Sequence, residues 1–424
     1  MVELLAILSG TGLTDYVTRE TARHPESAKA LWRQLTTLRF AYVCVVVPIG
    51  IGVLALLKYP RAVLFCLFCL AISLLPRAFS EVSLGILRAA NRLTIFLSTE
   101  LVQGVALLGV ATIMILRGHG LLAVVVSEAV AAMGGAIVVA VAVITFVARR
   151  NKSLPPGFHL IRTTYVFNII PLIVNTYDRL DVVLLSKLAG NVAAGIYSLP
   201  YRAFGLLQIL PYGIMGVLLP RLATARSASG DRSDCRKVMS ILFGAALLAI
   251  LAVMLLADVV TQTVLGPRYE GSAVAMKILI WATIPMYLNY GFNTFLLARN
   301  RERVLLRTAS VCLAFNVIAN LLLIPRYSFR AAAATTILTE LVLLAQNVFL
   351  VRETLGFLPH PAKMLRIFTV FVAVLSMSLL AAHFVDVLPA SLLGLSVFSI
   401  YLYSYCVRYV GRPSAQVVTV SANG

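Results

Sequence analysis

Five charged side chains lie between residues 175 and 213, in a stretch that is otherwise apolar enough to cross a membrane twice. The stretch contains Asp178, Arg179, Asp181, Lys187 and Arg202. At the centre of a bilayer each such charge costs about 2.5–3.5 kcal/mol, so four of them facing lipid would cost on the order of 10 kcal/mol. We therefore expect these side chains to be paired, hydrated or both.

Two kinds of chemistry suit charges in this position. The planar guanidinium of arginine donates paired hydrogen bonds to phosphate groups, so Arg179 and Arg202 are candidate ligands of an anionic headgroup. A carboxylate inside a membrane pairs with a cation or carries a coupled proton. The candidates for such pairing or coupling are Asp178, Asp181, Glu128 and Glu340.

A hairpin geometry predicts one specific ion pair. The turn between the two predicted helices lies near Gly190, and Asp178 and Arg202 are each 12 residues from it. At about 1.5 Å per residue, both lie about 18 Å from the turn. We predict an Asp178–Arg202 ion pair between adjacent antiparallel helices. A role limited to fixing the helix register is the alternative.

Polar and aromatic side chains also recur at helical spacing. In a lipid-embedded helix such a stripe faces the helix bundle or a water-filled cavity. Packing between helices is the alternative for the tyrosines, and hydrogen bonding between helices is favoured for Asn316 and Asn320. The stripes supply the remaining candidate substrate-binding residues: Asn175, Tyr197, Tyr201, Tyr290 and Asn293.

The composition explains which elements must position these residues. Of 424 residues, 60% are hydrophobic and 12% are charged, against roughly 25% charged in soluble domains. Apolar runs of about 20 residues, long enough to cross a bilayer, recur along the chain. The fold class is therefore an all-α polytopic membrane protein. The thirteen predicted helices cover 3–17, 37–57, 61–80, 94–116, 120–147, 163–186, 191–220, 238–262, 272–297, 303–324, 331–351, 366–385 and 389–409.

The basic residues predict the orientation of these helices. Successive connections between the predicted helices alternate between the two sides of the membrane. The connections on one side hold 26 Lys and Arg residues, and those on the other side hold seven. Because basic residues in short loops favour the cytoplasm, the C-terminus is predicted to be cytoplasmic. The N-terminus would then lie outside, so we hypothesise that one upstream helix is missing and that the full protein has fourteen. The scattered charges form no basic tract of the kind that binds nucleic acid.

Motifs for enzymatic chemistry do not occur in the sequence. It has no GxxxxGK[ST] phosphate-binding loop, no HExxH pattern and no nucleophile–base constellation. The single CxxC, Cys66-x-x-Cys69, has no second pair and no histidine nearby. We therefore predict no catalytic residues, no metal site and no cofactor.

An internal repeat relates the two halves of the chain. LRAANR at 87–92 and LLARNR at 296–301 are similar, and each is followed by two predicted spans. The second span carries Ser127-Glu128 in one half and Thr339-Glu340 in the other. Glu128 and Glu340 thus occupy matching positions, which favours a scaffold role and leaves proton coupling as the alternative.

Several short motifs carry a family resemblance. They are Asp178-Arg179, Gly195-x-Tyr197, Tyr201-Arg202, Pro220-Arg221, Asn300-x-Glu302-Arg303, Ile324-Pro325 and Ala331–Ala334. With them the chain resembles the polysaccharide transporter family, the O-antigen flippase-like exporters of the multidrug/oligosaccharidyl-lipid/polysaccharide superfamily. It departs from the family pattern in lacking the first helix and in having RYSFRAAAATT where a glycine-rich GxxGAA usually stands.

The resemblance implies two pseudo-symmetric six-helix lobes around a central cavity that opens to alternate membrane faces. The implied segments are an N-terminal lobe at 1–150 that lacks its first helix, a cytoplasmic linker at 151–162, a C-terminal lobe at 163–352, a second cytoplasmic linker at 353–365, two additional helices at 366–410 and a cytoplasmic tail at 411–424.

The implied function is secondary transport, in which a polyprenyl-diphosphate-linked oligosaccharide is flipped across the cytoplasmic membrane. Its partners would be this lipid-linked glycan, the bilayer and other polysaccharide assembly proteins. An inside-negative potential favours outward movement of the diphosphate by roughly 2.3 kcal/mol per charge per 100 mV. The alternatives are a drug/cation antiporter of the same superfamily and a membrane-embedded polysaccharide polymerase, although the predicted external connections are short for an enzyme.

Overall fold

The computed structural model is all-α in the part of the chain that it describes, residues 13–56, 68–69, 72–90, 92–118, 120–147, 158–224, 228–266, 269–355 and 359–410. Seven of the described helices are long and apolar enough to cross a membrane. The predicted all-α polytopic class is therefore confirmed. Parts of the predicted helices at 3–17 and 61–80, most of the linker at 151–162 and the tail at 411–424 lie outside the described residues.

The described residues form fourteen α-helices. They are α1 Leu13–Arg23, α2 Ala28–Leu56, α3 Leu74–Ala89, α4 Leu93–Leu116, α5 Gly120–Val147, α6 Phe158–Ala189, α7 Asn191–Leu207, α8 Ile209–Thr224, α9 Ala228–Val260, α10 Glu270–Leu279, α11 Thr283–Ala298, α12 Glu302–Leu355, α13 Pro361–Ala381 and α14 Val387–Val410. Several begin earlier than predicted, because the polar ends of membrane helices continue beyond the apolar core that the sequence pattern detects.

The predicted helix at 191–220 is two helices, α7 and α8, with a break at Gln208. Pro211 has no backbone N–H, so it cannot bond to the carbonyl of Leu207, four residues earlier. The Tyr287 hydroxyl donates to this Leu207 carbonyl at 2.8 Å instead. A side chain from α11 thereby satisfies the acceptor that proline leaves free.

The predicted helix at 272–297 is likewise interrupted. A short 3₁₀ turn at Ile280–Ala282 separates α10 from α11, shortly before Pro285. Proline disrupts the helical hydrogen bonds in the turn that precedes it, which accounts for the interruption just before Pro285.

The two helices predicted at 303–324 and 331–351 join at a tight break within α12. Ser328 has φ 54° and ψ −136°, a backbone conformation that favours glycine. This residue lies in the RYSFRAAAATT segment, where the resemblance expects glycines. The first and second parts of α12, before and after Ser328, thus reverse direction without a loop.

The chain forms two compact units. Unit 1 comprises Met1–Asn175, Gly216–Thr224 and Ala298–Leu306. Unit 2 comprises Thr176–Met215, Ala225–Leu297 and Arg307–Gly424. The predicted lobe boundaries at 150 and 163 stay a prediction, because units defined by contact do not test boundaries defined by repeat symmetry.

The two helices predicted as family additions are part of the core of unit 2. Ile367 and Phe371 of α13 and Phe398 of α14 pack with Leu247 and Leu251 of α9, and all five are fully or almost fully buried. The Phe371 and Phe398 rings meet edge to face, with centroids 6.0 Å apart. These contacts anchor α13 and α14 to α9.

Candidate functional site

The centre of the polar network in unit 2 is Asp181 of α6, whose exposure is only 2%. Asn320 Nδ2 donates to Asp181 Oδ1 at 2.6 Å, and Thr336 Oγ1 donates to Asp181 Oδ2 at 2.8 Å. The two partners come from the first and second parts of α12. Because the break at Ser328 brings both parts beside α6, two uncharged donors share one buried carboxylate.

The network extends from Asp181 through further amide and hydroxyl groups. Asn320 also donates to Asn316 Oδ1 at 3.0 Å, and Asn316 donates to Thr339 Oγ1 at 3.3 Å. The Tyr197 and Thr336 hydroxyls share a hydrogen bond of 3.1 Å. Asn320 Oδ1 is buried and has no partner among the described residues. The predicted interhelical role of the two asparagines is confirmed, and both connect to a carboxylate.

Glu340 lies in a second polar network, formed by α11 and the second part of α12. Asn289 Nδ2 donates to Glu340 Oε2 at 2.8 Å and to the backbone oxygen of Glu340 at 3.0 Å. Asn347 Nδ2 donates to Asn289 Oδ1 and to Asn293 Oδ1, each at 3.0 Å. The predicted substrate-binding residue Asn293 is therefore an acceptor in an amide chain that leads to Glu340.

The predicted Asp178–Arg202 ion pair is wrong. Asp178 hydrogen-bonds to Tyr201 and interacts electrostatically with Arg179, Asp181 and Glu340. Arg202 is exposed and forms no ion pair with Asp178 in the described part of the chain. The turn at Gly190 is as predicted, but the helices are rotated so that Tyr201, one residue and 100° away from Arg202, faces Asp178.

The other predicted substrate-binding residues are in several environments. Arg179 is exposed on unit 2, and Tyr290 donates to Gln208 at 3.3 Å. Tyr197 is fully buried, with its ring 5.5 Å from that of Tyr201. Asn175 is the last residue of the first segment of unit 1, and its amide donates to the Pro171 carbonyl at 2.8 Å.

Carboxylates of unit 1 have a different kind of partner. Glu128 pairs with Arg77, Glu81 pairs with Arg39, and Asp15 lies 3.5 Å from Arg88. Arg39 and Arg88 are buried within helices, although Arg88 lay in the connection between the helices predicted at 61–80 and 94–116. Arginines compensate these charges in unit 1, whereas amides and hydroxyls bind Asp181 and Glu340 in unit 2.

A further cluster in unit 1 was not predicted from the sequence. Arg19 of α1 is 2% exposed, lies over the rings of Tyr16 and Phe167, and bonds to Glu302 Oε2 at 3.2 Å. Arg23 donates to Asn300 Oδ1 at 2.8 Å and to the Ala298 carbonyl at 2.6 Å. Both arginines appeared in the sequence as part of a basic loop. Their partners lie more than 270 residues away in sequence, so no local signal could reveal them.

Gly216 leaves room for the guanidinium of Arg88. A Cβ added at Gly216 would lie 1.9 Å from Arg88 Nη2. We expect Gly216→Ala to lower the free energy of unfolding by about 1–3 kcal/mol, because the buried arginine would have to move away from Asp15. Thermal unfolding in detergent would measure the change.

Gly213→Ala is the matched control for this substitution. Gly213 lies on the same helix, and its added Cβ would have no atom within 4 Å. Alanine is the better helix former, so this variant should be as stable as the wild type or more so. Equal Tm values for the two variants would contradict the close approach of Arg88 to Gly216.

Comparison with known proteins adds family information to this geometry. Residues 1–226, more than half of the chain, match the family described as polysaccharide biosynthesis protein. The chain belongs to this polysaccharide biosynthesis family. The resemblance predicted from the sequence is thereby confirmed, and the matched segment includes Arg179, Asp181 and Arg202. No curated protein matches the chain.

Solved membrane transporters share the fold of this family member. The lipid II flippase MurJ in its inward closed conformation has a TM-score of 0.64 at 12% identity, with 97% of each chain covered. The MATE transporter VcmN of Vibrio cholerae in its bent form has a TM-score of 0.66 at 16% identity, with 83% of this chain and 86% of that chain covered.

A MOP superfamily transporter from Pyrococcus furiosus has a TM-score of 0.68 at 13% identity, with 84% of this chain and 85% of that chain covered. At such identities the likeness shows the fold alone. The family member thus has the fold of MOP superfamily transporters.

Proposed function

We propose that this family member is a secondary transporter that flips a polyprenyl-diphosphate-linked oligosaccharide across the cytoplasmic membrane. The observation that carries the proposal is the pair of exposed arginines, Arg179 on α6 and Arg202 on α7. They lie 11 and 12 residues from the turn at Gly190, about 17–18 Å along their helices.

An exposed arginine at this depth is expensive in hydrocarbon, so it is expected where an anion or water meets it. A diphosphate suits a guanidinium because paired N–H donors match its oxygens. Tyr201, the neighbour of Arg202 in sequence, hydrogen-bonds to Asp178, and aromatic or hydroxyl groups of this kind bind sugars. These features support recognition of a phosphorylated, glycosylated headgroup.

The carboxylates of unit 2 are proposed to couple transport to a cation. Asp178 interacts with both Asp181 and Glu340, and Arg179 also interacts with Asp178. Three neighbouring carboxylates do not all remain ionised without a cation or proton. By contrast, Glu128 pairs with Arg77, and we propose a scaffold role for it.

The proposed location is the inner membrane, with the C-terminus in the cytoplasm and other polysaccharide assembly proteins nearby. Basic residues near α9 and α13 support this orientation. Burial and the charges of Lys363 and Arg236 lower the pKa of His360, which precedes α13. His360 is then neutral at pH 7, while Lys363 and Arg236 supply the positive charge of this face.

A drug/cation antiporter is the second candidate function. Asp181 and Glu340 favour it, because they accept hydrogen bonds from neutral partners and could bind a cationic substrate directly. The exposed arginines weigh against it, because they would repel a cation. A polysaccharide polymerase has less support, because the family match and the transporter fold describe a different class of protein.

Analysis of lipid-linked sugars in a deletion strain tests the flippase proposal. We expect intermediates to accumulate on the inner leaflet and to be exported again when the wild-type gene is restored. Arg179→Ala should lower export about tenfold at normal protein level, because the loss of one charge-assisted contact costs about 1.5–3 kcal/mol. Arg179→Lys should restore part of it.

Arg326→Ala is the control, because Arg326 is also exposed on unit 2 but lies at the break of α12. It should export normally. Full export by Arg179→Ala would remove this arginine from the site, and normal sugar export in the deletion strain would refute the proposed substrate class.

A further inference from the structure

The two halves of the chain treat equivalent carboxylates differently. Glu128 bonds to Arg77, which precedes it by 51 residues, and Glu340 bonds to Asn289, which also precedes it by 51 residues. In each half the partner lies on the helix whose C-terminal end carries the repeat motif, α3 for LRAANR and α11 for LLARNR. The partner is an arginine in the first half and a neutral amide in the second.

This difference changes the charge state that each site stabilises. The Arg77 guanidinium supplies Glu128 with a compensating positive charge. The Asn289 amide supplies hydrogen bonds to Glu340 but no compensating charge. No Lys or Arg among the described residues forms an ion pair with Glu340. Of the two glutamates, Glu340 is therefore the one that can gain or lose a proton without breaking an ion pair with an arginine.

Three other titratable groups lie near Glu340, and one of them is a second carboxylate. Tyr177 and Asp178 face it from α6, and Cys312 faces it from the first part of α12. Asp178 and Glu340 repel each other when both are ionised, whereas Tyr177 and Cys312 are ordinarily uncharged near neutral pH. Binding of a proton by Glu340 removes this repulsion.

A buried amide oxygen marks a polar route to this carboxylate. Asn347 is fully buried and donates to Asn289, which bonds to Glu340. Asn347 Oδ1 has no partner among the described residues. Buried acceptors of this kind normally accept a hydrogen bond from water. We therefore expect water molecules between Glu340 and the end of α12 at Leu355.

We propose that Glu340 carries the proton that couples substrate transport to the proton gradient. In one conformation its carboxylate takes up a proton from water and becomes a neutral carboxylic acid. In the other conformation the same proton returns to water on the opposite face of the membrane, so that mass and charge balance. The inference rests on the proposed transport function, and it assigns the coupling ion and the residue that binds it.

Proteoliposomes that contain the full-length protein test the proposal. The probe is a fluorescent polyprenyl-diphosphate-linked disaccharide, and a membrane-impermeant quencher reports its distribution between leaflets. With one proton per substrate, one unit of pH difference should shift this distribution about tenfold in the wild type. Glu340→Gln should show no shift, whereas Glu340→Asp should retain it.

Asn289→Arg gives a second test that leaves Glu340 in place. It recreates the Glu–Arg pair of the other half and should abolish the pH response by holding Glu340 ionised. Glu128→Gln is the matched control. In this variant the pH gradient should change the distribution of the probe between leaflets by the same factor as in the wild type. If Glu340→Gln does not accumulate, Asn289→Arg alone decides the proposal.

The possible results separate the proposal from the proposed function. A pH response that persists in Glu340→Gln or in Asn289→Arg would overturn the role of Glu340. A wild type that moves the probe in response to a Na⁺ gradient, and not to a pH gradient, would also overturn it while supporting the flippase. A wild type that never moves the probe would instead refute the proposed substrate.

Discussion

Asp181→Ala should lower the free energy of unfolding by about 3 kcal/mol and abolish export. The substitution removes the acceptor of two hydrogen bonds, at 2.6 Å from Asn320 and 2.8 Å from Thr336. Hydrogen bonds to a charged group contribute about 1.5–3 kcal/mol each, and buried donors left without partners add a penalty. Thermal unfolding in detergent and export in a deletion strain measure the two effects.

Two variants distinguish this effect from a general loss of charge. Asp181→Asn keeps the shape and should preserve most of the stability but little of the export. Asp258→Ala removes an exposed carboxylate of the same unit, which pairs with Lys277, and should change stability by less than about 1 kcal/mol. If Asp181→Ala were as stable as Asp258→Ala, the polar network around Asp181 would not contribute to the fold.

Arg19→Met should destabilise the protein by about 3 kcal/mol, and a second substitution, Glu302→Leu, should recover much of that loss. Arg19 is buried and bonds to Glu302 at 3.2 Å, so removal of the arginine leaves a partly buried carboxylate without this partner. Replacing one member of a buried pair costs about 3–5 kcal/mol, whereas apolar replacement of both is often neutral. A double-mutant cycle in thermal or denaturant unfolding measures the coupling.

We expect a coupling energy of about 2 kcal/mol between these two residues. Glu20 lies 3.1 Å from Arg19 and also 3.8 Å from Arg23, so it keeps a cationic partner when Arg19 is replaced. The exposed Lys277–Asp258 pair is the comparison cycle, with an expected coupling below about 1 kcal/mol. Strictly additive effects for Arg19 and Glu302 would mean that their contact does not stabilise unit 1.

The general architecture could be predicted from the sequence because the bilayer imposes it. A long apolar run must form a helix in lipid, where each backbone group needs an internal partner. The predicted helix at 120–147 agrees with α5 at both ends. Predicted ends were less accurate where polar residues extend a helix, as in α2, which begins at Ala28 rather than at 37.

The sequence predicted which residues belong to the candidate site, but it did not predict which of their side chains contact each other. Periodicity placed Tyr197 and Tyr201 on one face, and their rings do lie together. The same reasoning paired Asp178 with Arg202, although Tyr201 is the residue that contacts Asp178. A one-residue difference in rotation turns a side chain by 100°, and residue counting from a turn does not resolve that angle.

The sequence by itself determined the all-α membrane fold, the approximate position of its helices, its family and the charged residues that need compensation. Hydrophobicity and helical period are local properties, so one chain is sufficient to read them. Only the tertiary structure decided which group binds each carboxylate. The partner is Arg77 for Glu128 and Arg19 for Glu302, but an amide and a hydroxyl for Asp181 and an amide for Glu340. These partners are 51 to 283 residues apart in sequence, so the packing of helices fixes which side chains meet.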